Sequence, residues 1–282
     1  MFFLNGLTSA MTLFIIAAGL SLIFGVLGIL NLAHGSLFMV GAYFAFQFTH
    51  WLGSFWLALL LAPLVCAGVG VIIERFLIRP VYGIHITFQL LLTFGIILLV
   101  TDLVRLIWGV SYRTVSEAEV LMGAVNAFGV TYPKYNLFVI LMGILIGILI
   151  WVLLSKTRIG KMVQAASSDR EVANGLGINV PRVYTVVFAF GAWLAGLAGV
   201  LAAPLRSLML ELDVHTIVEA FVVVVIGGLG SIPGALIGSL LLGQLNAFGT
   251  LYFSRYEMAF MYVLMAVVLI IRPHGLLGER VA

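Results

Sequence analysis

Long runs of apolar residues recur along almost the whole chain, and they decide what this sequence can fold into. Hydrophobic residues make up 63% of its 282 positions and charged residues 9%, whereas a soluble domain is about 45–50% apolar and about 25% charged. Such a chain cannot cover a surface that faces water, so lipid has to be its main solvent. We therefore expect an all-α, polytopic membrane protein, a bundle of about eight full spans plus one short or broken helix, since a span needs roughly 20 mainly apolar residues.

The predicted spans share this length and polarity. They cover residues 7–29, 33–50, 55–74, 87–107, 136–154, 184–204, 232–251 and 257–272. The whole chain, residues 1–282, is expected to form one transmembrane domain. Its single cysteine, Cys66, lies in an apolar run, so the sequence offers no disulfide framework and predicts a buried, reduced thiol.

A shorter apolar piece, residues 217–226, runs into the glycine-rich sequence GGLGSIPG at 227–234. One interpretation is a half-helix followed by unwound backbone, which transporters place at substrate sites. The other is a tight hairpin between two ordinary helices. A weak internal echo, FGVLG at 24–28 and IGGLG at 226–230, favours two equivalent hairpins that face one pathway.

Lysine and arginine are distributed unevenly among the connections between the predicted spans. Residues 155–182 are the richest in them, and the connection 74–86 and the C-terminal tail carry further arginines. The long connection 108–135 balances its basic residues with glutamates. Cytoplasmic loops carry an excess of lysine and arginine. We therefore expect residues 155–182 and the C-terminus to face the cytoplasm, and residues 108–135 and the N-terminus to face outward.

Few ionisable or strongly polar residues are predicted at membrane depth, where such side chains usually mark function. Asp102 and Arg105 lie one turn apart, which favours a structural ion pair near the outer interface over a relay. Glu219 opens the short apolar piece, either at the outer surface or facing a pathway. Asn31 and His34 lie between the first two spans. Asn31 can cap the second helix, and His34 either bonds local backbone or takes part in gating the pathway.

One polar, basic stretch interrupts the apolar chain, SKTRIGKMVQAASSDREVANGLGINVPR at 155–182. Good helix formers between Lys161 and Gly177 predict a short helix, which Gly175 and Gly177 can terminate. A helix of this kind either docks into a groove on another protein or is a solvated loop helix without a partner.

The sequence lacks the common motifs for nucleotide binding, metal binding and nucleophilic catalysis. It contains no G-x-x-x-x-G-K-[ST] loop for a nucleotide, no H-E-x-x-H and no G-x-S-x-G, and its five histidines are scattered. We therefore expect no catalytic residues, no metal site and no ATP bound by this chain itself. The small net charge of +3 gives no reason to expect nucleic acid as a partner.

Segments along nearly the whole chain resemble the permeases of high-affinity branched-chain amino acid ABC transporters. They are NLAHGSLFMVGAY (31–43), ERFLIRPV (74–81), RIGKMVQAASSDREVANGLGINVPRV (158–183) and GGLGSIPGALIG (227–238). The resemblance implies a multi-pass permease subunit of a bacterial inner membrane, not an enzyme, with a periplasmic N-terminus and a cytoplasmic C-terminus. The implied partners are two cytoplasmic ATPases that hold ATP and Mg²⁺, a second permease in a heterodimer, and a periplasmic binding protein.

The resemblance also implies roles for individual residues. The stretch between the fifth and sixth spans becomes a coupling loop whose helix docks on the ATPase. Its candidate coupling residues are Arg158, Gly160, Lys161, Ala165, Ala166, Asp169, Ala173, Gly177 and Ile178. The candidate residues of the substrate pathway and its gate are Asn31, His34, Glu219, Gly227, Gly228 and Gly230.

Two positions depart from what many members of that family carry. Ser36 stands where several relatives have glutamate, and Glu219 stands where many have lysine. Both changes alter the charge near the expected pathway, so urea or short amides stay open as substrates beside branched-chain or other hydrophobic amino acids. A passive channel or facilitator, which needs no ATPase, is the alternative from another class. An intramembrane enzyme is disfavoured by the missing catalytic constellation.

Overall fold

Helices dominate the computed structural model, which describes residues 1–127, 130–253 and 257–278. The helices are α1 (Phe2–Leu27), α2 (His34–Leu52), α3 (Phe55–Ile73), α4 (Ile86–Trp108), α5 (Lys134–Lys156), α6 (Arg158–Ser168), α7 (Arg170–Gly175), α8 (Val180–Ala202), α9 (Leu212–Gly227), α10 (Ile232–Phe253) and α11 (Glu257–Ile271). A π-helical turn (Glu74–Ile78) and a 3₁₀ turn (Arg79–Val81) extend α3, and another 3₁₀ turn covers Glu119–Leu121.

The predicted spans all coincide with helices, which confirms the predicted fold class. Within the described residues, six helices are long and apolar enough to cross a membrane: α1, α3 with its extension, α4, α5, α8 and α10. Two of the eight predicted spans, α2 and α11, are not among these six. The helix α2 does not meet this requirement, and the apolar part of α11 that the structure describes is short.

The first helix forms the centre of the bundle. In its most apolar stretch 89% of the residues are buried, against 28% in α4 and in α5. It packs against α5, α8, α9 and α10. A helix that is apolar on every side belongs in an interior, and here α4 and α5 stand on the outside, where their apolar side chains face lipid.

Small residues let the buried helices approach one another. A Cβ atom added to Gly199 of α8 would lie 2.1 Å from the carbonyl oxygen of Phe38 in α2, and one added to Gly243 of α10 would lie 2.5 Å from that of Gly6 in α1. No larger residue fits either position unless the helices move apart. Such small-residue contacts are how membrane helices pack closely.

The second helix begins deep in the bundle. His34, its first residue, places Nε2 3.2 Å from the carbonyl oxygen of Ile16, in the middle of α1. The connection 28–33 therefore re-enters the bundle, where non-helical backbone is tolerated because protein surrounds it. The prediction that Asn31 caps α2 was wrong, since the residue that precedes the helix is Ala33 and no side chain caps it.

The chain reverses tightly between α9 and α10, which agrees with the hairpin interpretation. The helix α9 starts at Leu212, earlier than the predicted 217–226, and is 16 residues long. A Cβ atom on Gly227 would lie 2.3 Å from the carbonyl carbon of Gly234. The non-helical backbone is confined to residues 228–231.

The two ends of the bundle are built from separate parts of the chain. One end, called the basic end below, gathers the connection 74–86, residues 155–182, the turn 228–231 and the tail 272–278. The other, called the cavity end, gathers residues 1–13, 108–135 and 203–211. Arg79 joins Pro181 at the basic end, and Arg113 pairs with Leu208 at the cavity end. This separation matches the predicted grouping of the connections.

A small antiparallel hairpin stands at the cavity end, which the all-helical prediction did not include. Strand β1 (Ala124–Ala127) pairs with β2 (Val130–Pro133). Asn126 and Thr131 face each other and are hydrogen-bonded through their side chains. The alternation of apolar and polar residues over 125–126 and 130–132 is the strand signal that was missed.

Candidate functional site

The polar segment 155–182 folds as two helices rather than the single predicted one. Thr157 begins α6 by accepting a hydrogen bond from Gly160 N at 3.1 Å. Asp169 then ends α6 and caps α7, because its Oδ1 accepts from Glu171 N at 2.9 Å and from Val172 N at 3.0 Å. A capping aspartate leaves the helical conformation, which explains the break. The predicted termination by Gly175 and Gly177 is confirmed, since α7 ends at Gly175 and Gly177 has φ +85°.

The candidate coupling residues divide between two faces of this segment. Three of them face the bundle and are buried: Gly160, Ala166 and Ala173. A Cβ atom on Gly160 would lie 2.2 Å from the carbonyl oxygen of Leu154 at the end of α5. These residues let the segment lie flat on the bundle. Their part in coupling stays a prediction. In the structure they pack against other residues of this chain.

The outward face of the segment mixes basic and apolar side chains. Its exposed candidates are Arg158, Lys161, Asp169 and Gly177, and its half-buried candidates are Ala165 and Ile178. Val172 and Leu176 are also exposed, to 57% and 75%. Leu176 falls on the coupling-loop pattern of the family that the sequence resembles, whereas sequence reasoning gave Val172 no role. A short exposed helix with apolar side chains among charges suits a protein contact better than a solvated loop.

Arg170 fastens the segment to the bundle. Its Nη2 donates a hydrogen bond to the carbonyl oxygen of Leu27, the last residue of α1, at 3.1 Å. The guanidinium also lies over the ring of Tyr184 in α8, 5.5 Å from its centroid. Cations stabilise the carboxyl end of a helix, so one arginine connects α7 with the central helix and with α8.

Arg79 makes a second connection to α8. Its guanidinium forms two hydrogen bonds with the fully buried carboxylate of Glu74, both 3.1 Å long. It also donates to Pro181 O at 3.3 Å and to Thr185 Oγ1 at 2.5 Å. Glu74 and Arg79 are five residues apart, and the π-helical turn after α3 brings that spacing onto one face. Helix spacing of three or four therefore could not reveal the pair.

Tyr82 completes the shell around Glu74. Its hydroxyl donates to Glu74 Oε1 at 2.7 Å, and burial together with this hydrogen bond raises the pKa of Tyr82 far above its usual value. The phenol therefore stays protonated and donating at any physiological pH. Its ring packs edge-on against Tyr184, with centroids 5.5 Å apart, so the groups around Arg79 and Arg170 form one network.

The candidate pathway glycines lie in close backbone contacts at the basic end. A Cβ atom on Gly228 would lie 2.3 Å from the amide nitrogen of Gly278 in the tail, and one on Gly230 would lie 3.1 Å from Gly25 Cα. The tail is held there by hydrogen bonds from Leu276 N to Ile226 O and from Leu277 N to Gly227 O. The two echoing sequences, 24–28 and 226–230, thus touch each other through Gly25 and Gly230.

His34 and Asn31 are both fully buried. His34 does bond to backbone, as one interpretation held, but the bonded carbonyl belongs to Ile16 in α1 and is not local. Asn31 places its amide nitrogen and oxygen in the interior without a hydrogen-bond partner from the described part of the protein. Neither residue has its pathway role tested by this geometry, so that role stays a prediction.

Glu219 lies halfway along α9 and faces a cavity. It is 9% exposed, and its Oε1 lies 3.7 Å from Nδ1 of His215 one turn earlier. The cavity, of about 480 Å³, extends along α1 from Phe2 to Leu13. A second cavity of about 460 Å³ also has Glu219 in its wall. The pathway role of Glu219 stays a prediction.

Asp213 is a buried acid that sequence reasoning missed. It is 2% exposed in the first turn of α9. Ser36 of α2 donates to its Oδ2 at 3.2 Å, Thr101 of α4 at 2.9 Å, and Val214 N donates to its Oδ1 at 2.8 Å. The carboxylate thus lies against the first turns of two helices, whose dipoles favour negative charge. The signal was the serine at 36, where a glutamate would have opposed Asp213.

The sequence matches a known family over most of its length. Residues 2–269 match the family described as branched-chain amino acid transport system, permease component. The high-affinity branched-chain amino acid transport system permease protein BraD of Pseudomonas aeruginosa is 30% identical over 291 residues, which cover 98% of this chain and 94% of BraD.

Salmonella typhimurium has two relatives with the same description. Its LivH is 29% identical over 289 residues, which cover 98% of this chain and 94% of LivH. Its LivM is 28% identical over 296 residues, which cover 96% of this chain and 68% of LivM. This chain therefore resembles both LivH and LivM.

A solved structure has the same fold. PsaBC from Streptococcus pneumoniae, in complex with Fab, superposes with a TM-score of 0.51 over 95% of this chain and 89% of that chain. The sequences are 16% identical, so this likeness concerns the fold alone. It supports the helical arrangement described above.

Proposed function

The chain belongs to the family of branched-chain amino acid transport system permeases, and from this membership we propose that it is the membrane-spanning subunit of an ATP-binding-cassette importer. Its substrates are branched-chain or other hydrophobic amino acids. The observation that carries the proposal is the match over residues 2–269, which includes the whole bundle and the polar segment folded onto it.

The proposed assembly contains two permeases and two ATPases. LivH and LivM of one organism are both described as permease proteins, which supports a heterodimer of this chain with a second permease. ATP and Mg²⁺ belong to the ATPases, because this sequence has no phosphate-binding loop. A binding protein delivers substrate to the cavity end.

The basic end faces the cytoplasm of a bacterial cell in this proposal. It carries Arg79, Lys156, Arg158, Lys161, Arg170, Arg182 and Arg272, and cytoplasmic loops are rich in such residues. The N-terminus and residues 108–135 then face the periplasm. Cysteine labelling from either side of the inner membrane checks this orientation.

Coupling runs through the segment 158–178. ATP can shift the permease between two states only if the ATPase contacts them differently. The exposed side chains of Val172 and Leu176 provide such a contact. When the segment is displaced, Arg170 transmits the movement to α1, and Arg79 transmits it to α3. Both connections end on helix termini, so the segment moves with the helices.

Reconstitution tests the proposed function directly. We expect proteoliposomes with both permeases, the ATPases and the binding protein to take up leucine only when ATP is supplied on the ATPase side. Uptake of leucine by this chain alone without ATP would identify a passive facilitator. ATP-dependent uptake of urea or acetamide in place of leucine would support an importer but contradict the proposed amino acid substrates.

Docking is tested with exposed residues of the segment. We expect Val172→Asp and Leu176→Asp to abolish copurification of the ATPase, because each puts a charge into an apolar contact. Val120→Asp is the matched control, since Val120 is 75% exposed at the cavity end. Normal ATPase recovery with both segment variants would contradict the docking surface.

A further inference from the structure

The cavity beside Glu219 is lined by one acid and one base. Glu219 of α9 and Arg206 of the connection 203–211 both lie in its wall, together with the neutral polar side chains of Asn5, Ser9 and Asn246. Phe2 and Leu13 supply apolar surface. A concave site with apolar walls and a few polar groups that fix orientation is the usual form of a small-molecule site.

The size and depth of the cavity suit a single small molecule. Its volume is about 480 Å³, within the range of roughly 300–1,000 Å³ that ligand pockets occupy. Leu13 lies halfway along α1, so the cavity reaches the middle of the bundle. A charged side chain at that depth costs free energy and usually marks a ligand site or a pathway. Glu219 is such a side chain and is only 9% exposed.

We propose that this cavity binds the transported amino acid as a zwitterion. The carboxylate of Glu219 receives the ammonium group, and the guanidinium of Arg206 receives the carboxylate, to which its planar fork is matched. The amino acid side chain then lies against Phe2 and Leu13. This assignment rests on the proposed function and adds to it a substrate site within the permease itself.

The two opposite charges also select among substrates. A zwitterion offers an opposite charge to each of the two groups at once, whereas urea or an amide carries no charge for either and therefore gains less binding free energy. The second cavity shares Glu219 and Asn246 with the first and continues to Met258 and Met261. Glu219 therefore lies in the wall of both cavities.

Protection of a cysteine from labelling tests the site. The only native thiol, Cys66, is fully buried, so Ser9→Cys introduces a single reactive group into the cavity wall. In the assembled transporter, without binding protein, we expect leucine at about ten times its dissociation constant to slow labelling by a small thiol reagent about tenfold, because only the empty fraction reacts.

The charges are tested in the same background. We expect Arg206→Gln and Glu219→Gln each to remove the protection by leucine, and we expect 4-methylpentanoate and 3-methylbutylamine, which carry one charge each, to protect poorly. Lys134→Gln is the matched control, an exposed basic residue at the same end, and should keep full protection. Ser116→Cys, exposed in the loop 108–135, should label at one rate with or without leucine.

The outcomes separate this site from the proposed function. Equal labelling of Ser9→Cys with and without leucine, repeated at Thr250→Cys on another wall of the cavity, overturns the site. So does protection that survives in both charge variants, or a failure of both cysteines to label at all. Leucine uptake by the unmodified transporter is measured in parallel. Its absence contradicts the proposed function, whereas uptake without protection contradicts only the site.

Discussion

The basic end and the cavity end hold their charged groups in opposite ways. At the basic end Glu74 is fully buried and paired with Arg79, and Arg79 and Arg170 each donate to the backbone of another helix. At the cavity end the wall of one cavity contains both Glu219 and Arg206. The first arrangement fixes helices relative to one another, whereas the second places both charges in the wall of an open cavity.

This difference fits the two tasks of a driven permease. A push from an ATPase reaches the helices only through parts that do not yield, and hydrogen-bonded networks such as that of Glu74, Arg79 and Tyr82 make a structure more rigid. A substrate site must bind weakly enough to release, which favours charges that border open space. The two ends can therefore be tested separately, and variants at one end should leave the property of the other unchanged.

The largest effect on stability is expected at the buried pair of the basic end. Glu74→Ala removes the acceptor of Arg79 and of Tyr82. We expect the free energy of unfolding to fall by about 3 kcal/mol, the lower limit for breaking a buried ion pair. The lower limit applies because the side chain of Arg79 is 34% exposed, so water can solvate its charge once the carboxylate is gone. Thermal unfolding in detergent measures this.

A matched control for that variant lies at the other end. Glu119 is exposed in the loop 108–135, and Glu119→Ala should change stability by at most about 0.5 kcal/mol. Glu74→Gln, which keeps an acceptor oxygen, should fall between the two. Equal melting temperatures for Glu74→Ala and Glu119→Ala would show that the pair does not fix the basic end.

A smaller effect is expected where the tail packs on the turn 228–231. Gly228 and Gly83 both have positive φ, +105° and +75°, but only Gly228 would bring an added Cβ against another backbone, that of the tail. We expect Gly228→Ala to cost about 2–3 kcal/mol from strain and overpacking, and Gly83→Ala about 1 kcal/mol from strain alone. Proteolysis of the tail should accelerate only in Gly228→Ala; equal acceleration in both would contradict the packing role.

The sequence predicts the fold better than it predicts the site. Apolar runs of spanning length located the helices because lipid imposes one polarity on every span. The break at Asp169 had a readable signal, an aspartate in capping position before Arg170-Glu171. The pair of Glu74 and Arg79 had no readable sequence signal, because only the π-helical turn brings residues five positions apart onto one face. The burial of Ala166 also had none, because it depends on which helices become neighbours. Asp213 had only an indirect signal, the serine at 36 that donates to it.

A third prediction concerns how the basic end transmits motion. Arg170→Ala loses the hydrogen bond to Leu27 O and the contact with Tyr184, which should cost about 1–2 kcal/mol. The ATPase should still copurify, but less leucine should enter per ATP hydrolysed, because α7 no longer moves with α1. Arg170→Lys should recover part of this ratio, and Arg182→Ala, at the exposed start of α8, should leave it unchanged. A normal ratio in Arg170→Ala would remove Arg170 from the coupling route.

The smallest effect is expected at the pair of Asp102 and Arg105. The predicted pairing is confirmed, with Nη1 3.5 Å from Oδ1, and the side chains are 74% and 59% exposed. Exposed pairs of this kind are worth about 0–1 kcal/mol, so Arg105→Ala should barely move the melting temperature and should leave leucine uptake intact. A large loss of uptake would instead favour the relay role and would give the cavity end a functional charge outside the cavity. The same pairing chemistry thus differs several-fold in effect between the two ends, because burial, and not the identity of the charges, sets its strength.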